Sequence, residues 1–463
     1  MDRFCLKDSN RLFNRVGGYI KKNACNIVKL VSVSFILQVF TVSSKALLLF
    51  TMLCYLEVED VGLFGVMVTT INLGMYAVGM ELHICNRRKI LNCNIGEVPC
   101  LIRDQFILHG VLYSVVLPLL LLVFSFGILP SRLLLWFYVL LILDHITQEF
   151  QRILVTLHRP AHAAAVFFIR GGAWVYVIGL MMWQHESARQ LYLILGGWMV
   201  GTTIGLIMAI FWLRDLDWRN ALTSSVNWDQ LRVFAKAALP FLCANMSLIM
   251  IYSIDKLGLQ YFWDLRLVGV YTLYSFSRNA IQSILDMSIF NTLQPRIVAA
   301  YQNGKIYTYR CLLRQMALWI GLGSIILGIA AVLMIYLLIG VLNKAIYIEY
   351  LDVYWIIIIT IFIEGLGYIP HTVLYVRHLD GQITFSSVLG LGIGIISNLT
   401  LIPLLGLPGA AWATLLAIVG IFVCRVVFCW KCRDTTAKEM AILPPIYNVE
   451  RELSLNLLNK RDY

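Results

Sequence analysis

Charge is what this sequence has least of. Asp, Glu, Lys and Arg make up 14% of its 463 residues, against about 25% in soluble domains, and 60% of the chain is hydrophobic. No soluble core of this length absorbs that much apolar surface, so a polytopic membrane protein is the class that remains. Signature motifs are missing too. No P-loop, zinc-protease helix or kinase set occurs, which excludes ATP hydrolysis as the driving chemistry. The eleven cysteines are scattered. Cys429-x-x-Cys432 is a lone pair, and Cys85, Cys93 and Cys100 fall in a loop read as cytoplasmic, where thiols stay reduced. Neither a metal set nor a cofactor is expected. The N-terminus lacks a short apolar core with a cleavage site, so the first apolar run, from near Ile27, is expected to persist as a helix. The ten-residue alternation of a membrane β-barrel is also absent.

What is present is a series of apolar windows about 20 residues long. They predict an all-α polytopic membrane protein of about twelve transmembrane helices, near 29–54, 61–84, 105–129, 133–156, 161–183, 190–213, 234–256, 268–292, 312–338, 352–376, 382–404 and 408–430. With the N-terminus inside, twenty-eight of the 37 Lys and Arg fall on one side and five on the other. The positive-inside rule then puts both termini in the cytoplasm. This topology accounts for most of the net charge of +11, so nucleic acid is not expected as a partner. The organisation read from the chain is a basic leader (1–28), six spans (29–213), a polar linker (214–233), six more spans (234–430) and a tail (431–463). All loops on the outer side are short, which argues against a membrane polysaccharide polymerase or ligase.

Several polar residues lie inside these spans. A charge near the bilayer centre costs at least about 2.5–3.5 kcal/mol and normally faces a protein-lined, wet path. Arg278 is about ten residues into the eighth span, on one helical face with Ser275, Gln282 and Asp286. Arg170 is as deep in the fifth span, and Lys45 lies nearer the outer end of the first. Ser34, Gln38, Thr41 and Lys45 repeat a spacing of four, three and four residues; Thr69, Asn72 and Tyr76 make a similar line on the second span. Such residues either line a path or bond helix to helix. Asp144, His145, Gln148, Glu149 and Arg152 crowd the inner half of the fourth span, as a gate of ion pairs or a helix end. Glu364, about twelve residues into the tenth span, is the candidate for coupling to an ion. Pro118, Pro240, Pro370 and Pro403 read as kinks. Gly390-x-Gly392-x-Gly394 reads as helix packing.

An internal repeat divides the chain. The second span opens Glu59-Asp60-Val61-Gly62-Leu63-Phe64 and the eighth opens Arg266-Leu267-Val268-Gly269-Val270-Tyr271. Each half has an even number of spans, so the repeats are parallel, related by an axis along the membrane normal, and would enclose a central cavity. Together with Tyr252-Ser-Ile-Asp255-Lys256, Gln294-Pro295-Arg296 and Gly406-Leu407-Pro408-Gly409-Ala410-Ala411-Trp412-Ala413-Thr414, these stretches resemble the oligosaccharide flippases of the MATE-like superfamily over residues 27–430.

The resemblance implies a protein that moves polyprenyl-diphosphate-linked oligosaccharide repeat units from the inner to the outer leaflet of the bacterial cytoplasmic membrane, with no enzymatic step. It implies alternating access, coupling to H+ or Na+, and a role in O-antigen, capsule or exopolysaccharide synthesis. Expected partners are the lipid-linked unit, membrane lipids and a polysaccharide polymerase with its chain-length machinery. Arg278, Arg170 and Lys45 would meet the diphosphate, since Arg offers a planar fork and Lys a point charge. The competing reading of Arg278 is an ion pair with Asp286, Asp144 or Glu364. Gln38, Thr41, Asn72, Ser275, Gln282 and Asp286 would line the cavity, and Glu364, Asp144, Glu149 and Arg152 would couple or gate. A drug or metabolite exporter of the same fold is the alternative. If the topology is right, reporters fused after Arg103 and after Lys438 both read cytoplasm; one reading outside refutes it.

Overall fold

In hydrocarbon each backbone N–H and C=O has to be satisfied within the protein, which for a chain of apolar 20-residue windows means helices. The computed structural model describes residues 36–90, 93, 95–342 and 344–431, and all its regular elements there are helical. Ser34, the basic leader and Cys432 with the tail lie outside the described residues. In chain order the helices are α1 (Ile36–Tyr55), α2 (Val58–Gly79), α3 (Leu82–Ile90), α4 (Val98–Ser125), α5 (Leu134–Thr156), α6 (Pro160–Phe168), α7 (Trp174–Gln184), α8 (Leu191–Trp212) and α9 (Trp218–Thr223). There follow α10 (Trp228–Phe262), α11 (Leu265–Leu285), α12 (Asn291–Gln302), α13 (Ile306–Leu342), α14 (Ala345–Glu349), α15 (Leu351–Val376), α16 (Asp380–Leu405) and α17 (Leu407–Lys431). Two π-helical turns interrupt this order, Ile169–Ala173 between α6 and α7 and Asp286–Phe290 between α11 and α12. Such turns are rare and gather at functional positions.

Eleven helical segments among the described residues are long and apolar enough to cross a membrane, with α6, the π turn and α7 forming one of them. Their outward side chains are apolar: Leu119, Leu135, Leu337 and Leu404 are all more than half exposed. The chain is a multi-pass membrane protein. The remaining predicted span is α11. Its 21 residues reach about 30 Å at 1.5 Å each, enough to cross. It falls short in apolarity because Ser275, Arg278, Asn279 and Gln282 lie along it.

The chain forms two compact units. The first holds the described residues up to Leu242 together with Lys256–Leu273, and the second holds Cys243–Asp255 with the chain from Tyr274 onward. The linker around 214–233 therefore lies inside the first unit, and α10 and α11 each contribute to both. Arg103 at the start of α4 anchors the linker by donating to Ser224 O (2.5 Å) and Ser225 O (3.0 Å). Arg159 does so by bonding Trp212 O and Asp215, whose carboxyl it holds below the usual carboxylate range.

Small residues set the close contacts. On α8, Gly197, Gly201 and Gly205 form a ridge against Trp174, Ile178 and the π turn at Arg170; a Cβ on Gly197 or Gly201 would collide there. In the second unit Gly390 and Gly394 of α16 meet Ile421 and Ala417 of α17, while Gly392 has open space beside it. Gly406 alone links α16 to α17. Its φ of +65° is open to glycine, and Gly409 behind it lets α17 pass against the Leu401 carbonyl. These two glycines explain the Gly-rich motif at this turn. The four predicted kink prolines all lie inside helices.

Within the first unit the repeated motifs touch each other. Glu59 of α2 pairs with Arg266 at the start of α11 at 2.7 Å. A Cβ on Gly62 would strike the carbonyl oxygen of Leu265, and one on Gly269 would strike that of Val58. Gly65 sits on the Thr272 hydroxyl. Glu59 with Arg266, Gly62 with Gly269 and Gly65 with Thr272 all have the same separation along the chain, so each residue meets its own repeat equivalent. That is the geometry of an isologous two-fold contact, here inside one chain. Without Cβ atoms the two backbones approach closely enough for Cα–H···O contacts. Gly62→Val and Gly269→Val should therefore each destabilise the protein by about 1–3 kcal/mol, the usual cost of overpacking. Gly110→Ala, where nothing lies within 4 Å, should not. Thermal unfolding in detergent decides, and equal melting of all three variants defeats the interpretation.

Candidate functional site

The first unit has a charged centre in mid-span. Arg170, carried on the π turn, donates from Nη1 to the Asp144 carbonyl at 3.2 Å and lies 3.4 Å from its Oδ1. The Trp198 side chain also bonds Asp144. The π turn owes its shape to local chemistry: Gly171 and Gly172 admit Thr41 and Ser44 of α1, and the Trp174 indole donates to Arg170 O at 3.0 Å. Lys45 of α1 is exposed, feels the charges of Arg170 and Asp144, and has its Nζ 5.9 Å from the centre of the Phe167 ring. It makes no ion pair with a described residue. Two cations thus share one carboxylate, and the centre has a surplus positive charge.

The charges predicted in the fourth span separate into two places. Asp144 belongs to this centre. Glu149 and Arg152 lie one and two turns further inward and pair with each other at 2.6 Å. Glu149 is 1% exposed and also accepts from Gln105 Nε2 at 2.6 Å. Beside them Tyr113 and His145 share a 2.7 Å hydrogen bond, and the His145 ring packs edge-on to His109. Gln105, His109 and Tyr113 all come from α4. Sequence reasoning passed over them because they lie in a segment of otherwise unbroken apolarity.

The second unit gathers its polar residues around two tyrosines. Arg278 grips Glu364 with both prongs, Nε to Oε2 and Nη2 to Oε1, each at 3.0 Å. Tyr252 donates to Glu364 Oε1 at 2.7 Å, and its ring lies under the guanidinium at 3.2 Å. Arg278 also bonds Asn279. The head-group candidate and the coupling candidate thus form one ion pair: of the three acids suggested for Arg278, the structure selects Glu364. Asp286 instead accepts from Tyr368, which in turn receives Gln282 Nε2. Tyr252 and Tyr368 were not singled out as site residues. Their helical spacing relative to Arg278 carried no signal, because they come from α10 and α15.

The other predicted lining residues are less uniform. Thr41 is fully buried against the π turn and spends its hydroxyl on Leu37 O at 2.8 Å. Gln38 is half-buried, Asn72 is exposed and Ser275 is buried. Arg425, near the end of the last predicted span, is buried and bonds Ser386 Oγ at 3.0 Å and Ser387 Oγ at 3.2 Å.

The architecture recurs in known proteins. No family model matches the sequence, and no curated protein matches it. Among solved structures, a multidrug resistance MATE family transporter of the MOP superfamily in an inward-facing conformation superposes with a TM-score of 0.67 at 14% identity, over 86% of this chain and 96% of that one. The lipid II flippase MurJ in an inward closed conformation superposes with a TM-score of 0.61 at 10% identity, over 86% and 87%. The fold is therefore the one shared by MATE transporters and the MurJ flippase, and these neighbours are transporters rather than enzymes.

The Arg278–Glu364 pair makes a stability prediction. Removing one member of a buried pair leaves an uncompensated charge and costs about 3–5 kcal/mol, while replacing both with apolar residues is often neutral. Glu364→Leu should lower the melting temperature sharply, and Arg278→Met with Glu364→Leu should recover most of the loss. If the double variant melts no higher than the single one, the two residues are not coupled.

Proposed function

We propose that the chain moves a lipid-linked oligosaccharide, its sugars joined to polyprenol through diphosphate, from the inner to the outer leaflet of the bacterial cytoplasmic membrane. The observation that carries this reading is the surplus cation of the Lys45–Arg170–Asp144 centre. A charge kept at mid-membrane without a full counter-ion is expensive. An anionic cargo passing beside it would offset that cost, whereas a cationic drug would add to it. The MurJ neighbour, a lipid II flippase, supports the reading by analogy of fold.

The Arg278–Glu364–Tyr252 clasp suggests the coupling step. Binding of H+ or Na+ at Glu364 weakens its hold on Arg278, and the freed guanidinium can then turn to the diphosphate. In the opposite half of the cycle the carboxylate takes the guanidinium back and the ion leaves. Transport is then a competition between Glu364 and cargo for one cation, a differential contact of the kind that shifts a two-state equilibrium. The exposed Asn72 and half-buried Gln38 and Gln282 would supply hydrogen bonds to sugar hydroxyls. Product release would hand the repeat unit to the polymerase and chain-length machinery of surface polysaccharide synthesis.

A multidrug exporter is the second reading, favoured by the MATE neighbours and by the carboxylates Asp144, Asp286 and Glu364. Vesicles containing the protein and a fluorescent prenyl-diphosphate sugar separate the two. The wild type should expose the probe in the opposite leaflet. Lys45→Ala should slow this by about tenfold or more, the loss of one charge-assisted contact. Glu364→Gln should abolish the stimulation by an imposed ion gradient. Wild-type vesicles that leave the probe in place but take up a cationic drug would establish the exporter instead.

A further inference from the structure

On the Lys- and Arg-rich side of the first unit, a cavity of about 160 Å³ opens between α3, the start of α4 and the end of α5. Reading Glu149 and Arg152 as a gate leaves it unexplained. Besides Thr156, its polar and charged lining residues are His83, Asn86, Arg87, Gln105, Glu149 and Arg152.

Their bonding follows from the carboxylate. Glu149 can only accept, so Gln105 must turn its amide nitrogen toward it, at 2.6 Å. The Gln105 carbonyl oxygen then takes the amide nitrogen of Asn86. Asn86, 3% exposed and lining the cavity, is left with its Oδ1 without a hydrogen-bond partner. A buried acceptor left empty costs about 1–3 kcal/mol, which a ligand hydroxyl would recover. His83 lies outside the spans and is held down to about 3, chiefly by its burial and then by Arg152 and Arg87, so it is neutral at physiological pH. Its Nδ1 faces the Glu81 carboxylate at 3.5 Å.

Against the Asn86 acceptor stand two guanidinium groups. Arg152 gives one N–H to Glu149 and is about a quarter exposed. Arg87 is exposed and makes no ion pair with a described residue. Glu149 offsets one of the two cations, so the lining has a net charge of one positive unit. Cationic donors beside an empty acceptor suit a ligand that is an anion and a hydroxyl donor at once. A neutral sugar lacks the charge; inorganic phosphate has the charge and a P–OH, but only at one centre; a phosphorylated sugar presents the anion and further hydroxyl donors at separate points.

We propose that this cavity is a cytoplasmic binding site for the phosphorylated sugar head of a ligand. Arg87 and Arg152 hold the phosphate, and Asn86 accepts from a sugar hydroxyl. The site deepens the function proposed above as a place where the head group waits before it reaches the mid-membrane centre, and it rests on that reading for the ligand's role but not for its chemistry. The same chemistry comes from two sources, a soluble sugar phosphate or a lipid-linked one.

Titration of the full-length purified protein in detergent tests it, with glucose 1-phosphate, glucose, inorganic phosphate and farnesyl-diphosphate-linked glucose as probes. Both phosphorylated sugars should bind, and glucose and inorganic phosphate should each bind at least tenfold more weakly. The tighter of the two phosphorylated sugars identifies the source. Arg87→Gln should weaken binding about tenfold, as expected for one charge-assisted hydrogen bond. Glu149→Gln, which keeps the shape and frees Arg152, should tighten it. Equal binding of inorganic phosphate and sugar phosphate, or dissociation constants unmoved by both variants, overturns the proposal. Binding that persists in a protein without flipping activity refutes the transport reading and leaves this site standing; flipping without such binding does the reverse.

Discussion

The cost of holding a charge in hydrocarbon governs this molecule more than any other constraint. Among the described residues the ionised groups within spans differ in how well they are neutralised. Arg278 and Glu364 are matched completely, with two parallel hydrogen bonds, an aromatic face under the guanidinium and a tyrosine hydroxyl on the carboxylate. Arg170 and Asp144 are matched loosely, and Lys45 is left over. Arg425 has hydroxyls where an acid would be expected. The Arg278–Glu364 pair ties α11 to α15, whereas Lys45 has no ion-pair partner among the described residues.

Both π turns lie at this polar machinery. One carries Arg170, and the other begins with Asp286. An extra residue in a turn rotates the side chains beyond it and frees a carbonyl, which an α-helix of the same sequence would have kept for itself. At Ile169–Ala173 the glycines that loosen the turn also receive α1, so the feature that presents Arg170 brings Lys45 beside it.

Much of the fold was legible in the sequence because hydropathy counts residues one at a time. The helical character, the number of spans within one, and the close packing at Gly390 and Gly394 all follow from local composition. Arg278, Arg170, Asp144 and Glu364 stood out for the same reason, as costly residues in apolar surroundings. Which of them would meet was not legible, since pairing depends on helix rotation and depth rather than on spacing within one helix. Arg278 and Asp286 share a face of the same span, yet the structure sends one to Glu364 and the other to Tyr368. Thr41 kept the periodicity of a cavity-lining stripe but turned to a neighbouring helix, because two glycines there left it room. His109 and Gln105 of α4 were hidden by the hydrophobicity around them.

The contact between α2 and α11 has a consequence for how the two sides can be changed. Where a backbone lies opposite each position, as at Gly62 and Gly269, neither side has room to grow alone. At the next turn the two sides share one space unequally: Gly65 leaves it, and the hydroxyl of Thr272 fills it. There the volume belongs to the pair rather than to either residue, so a side chain can be enlarged on one side only if it shrinks on the other.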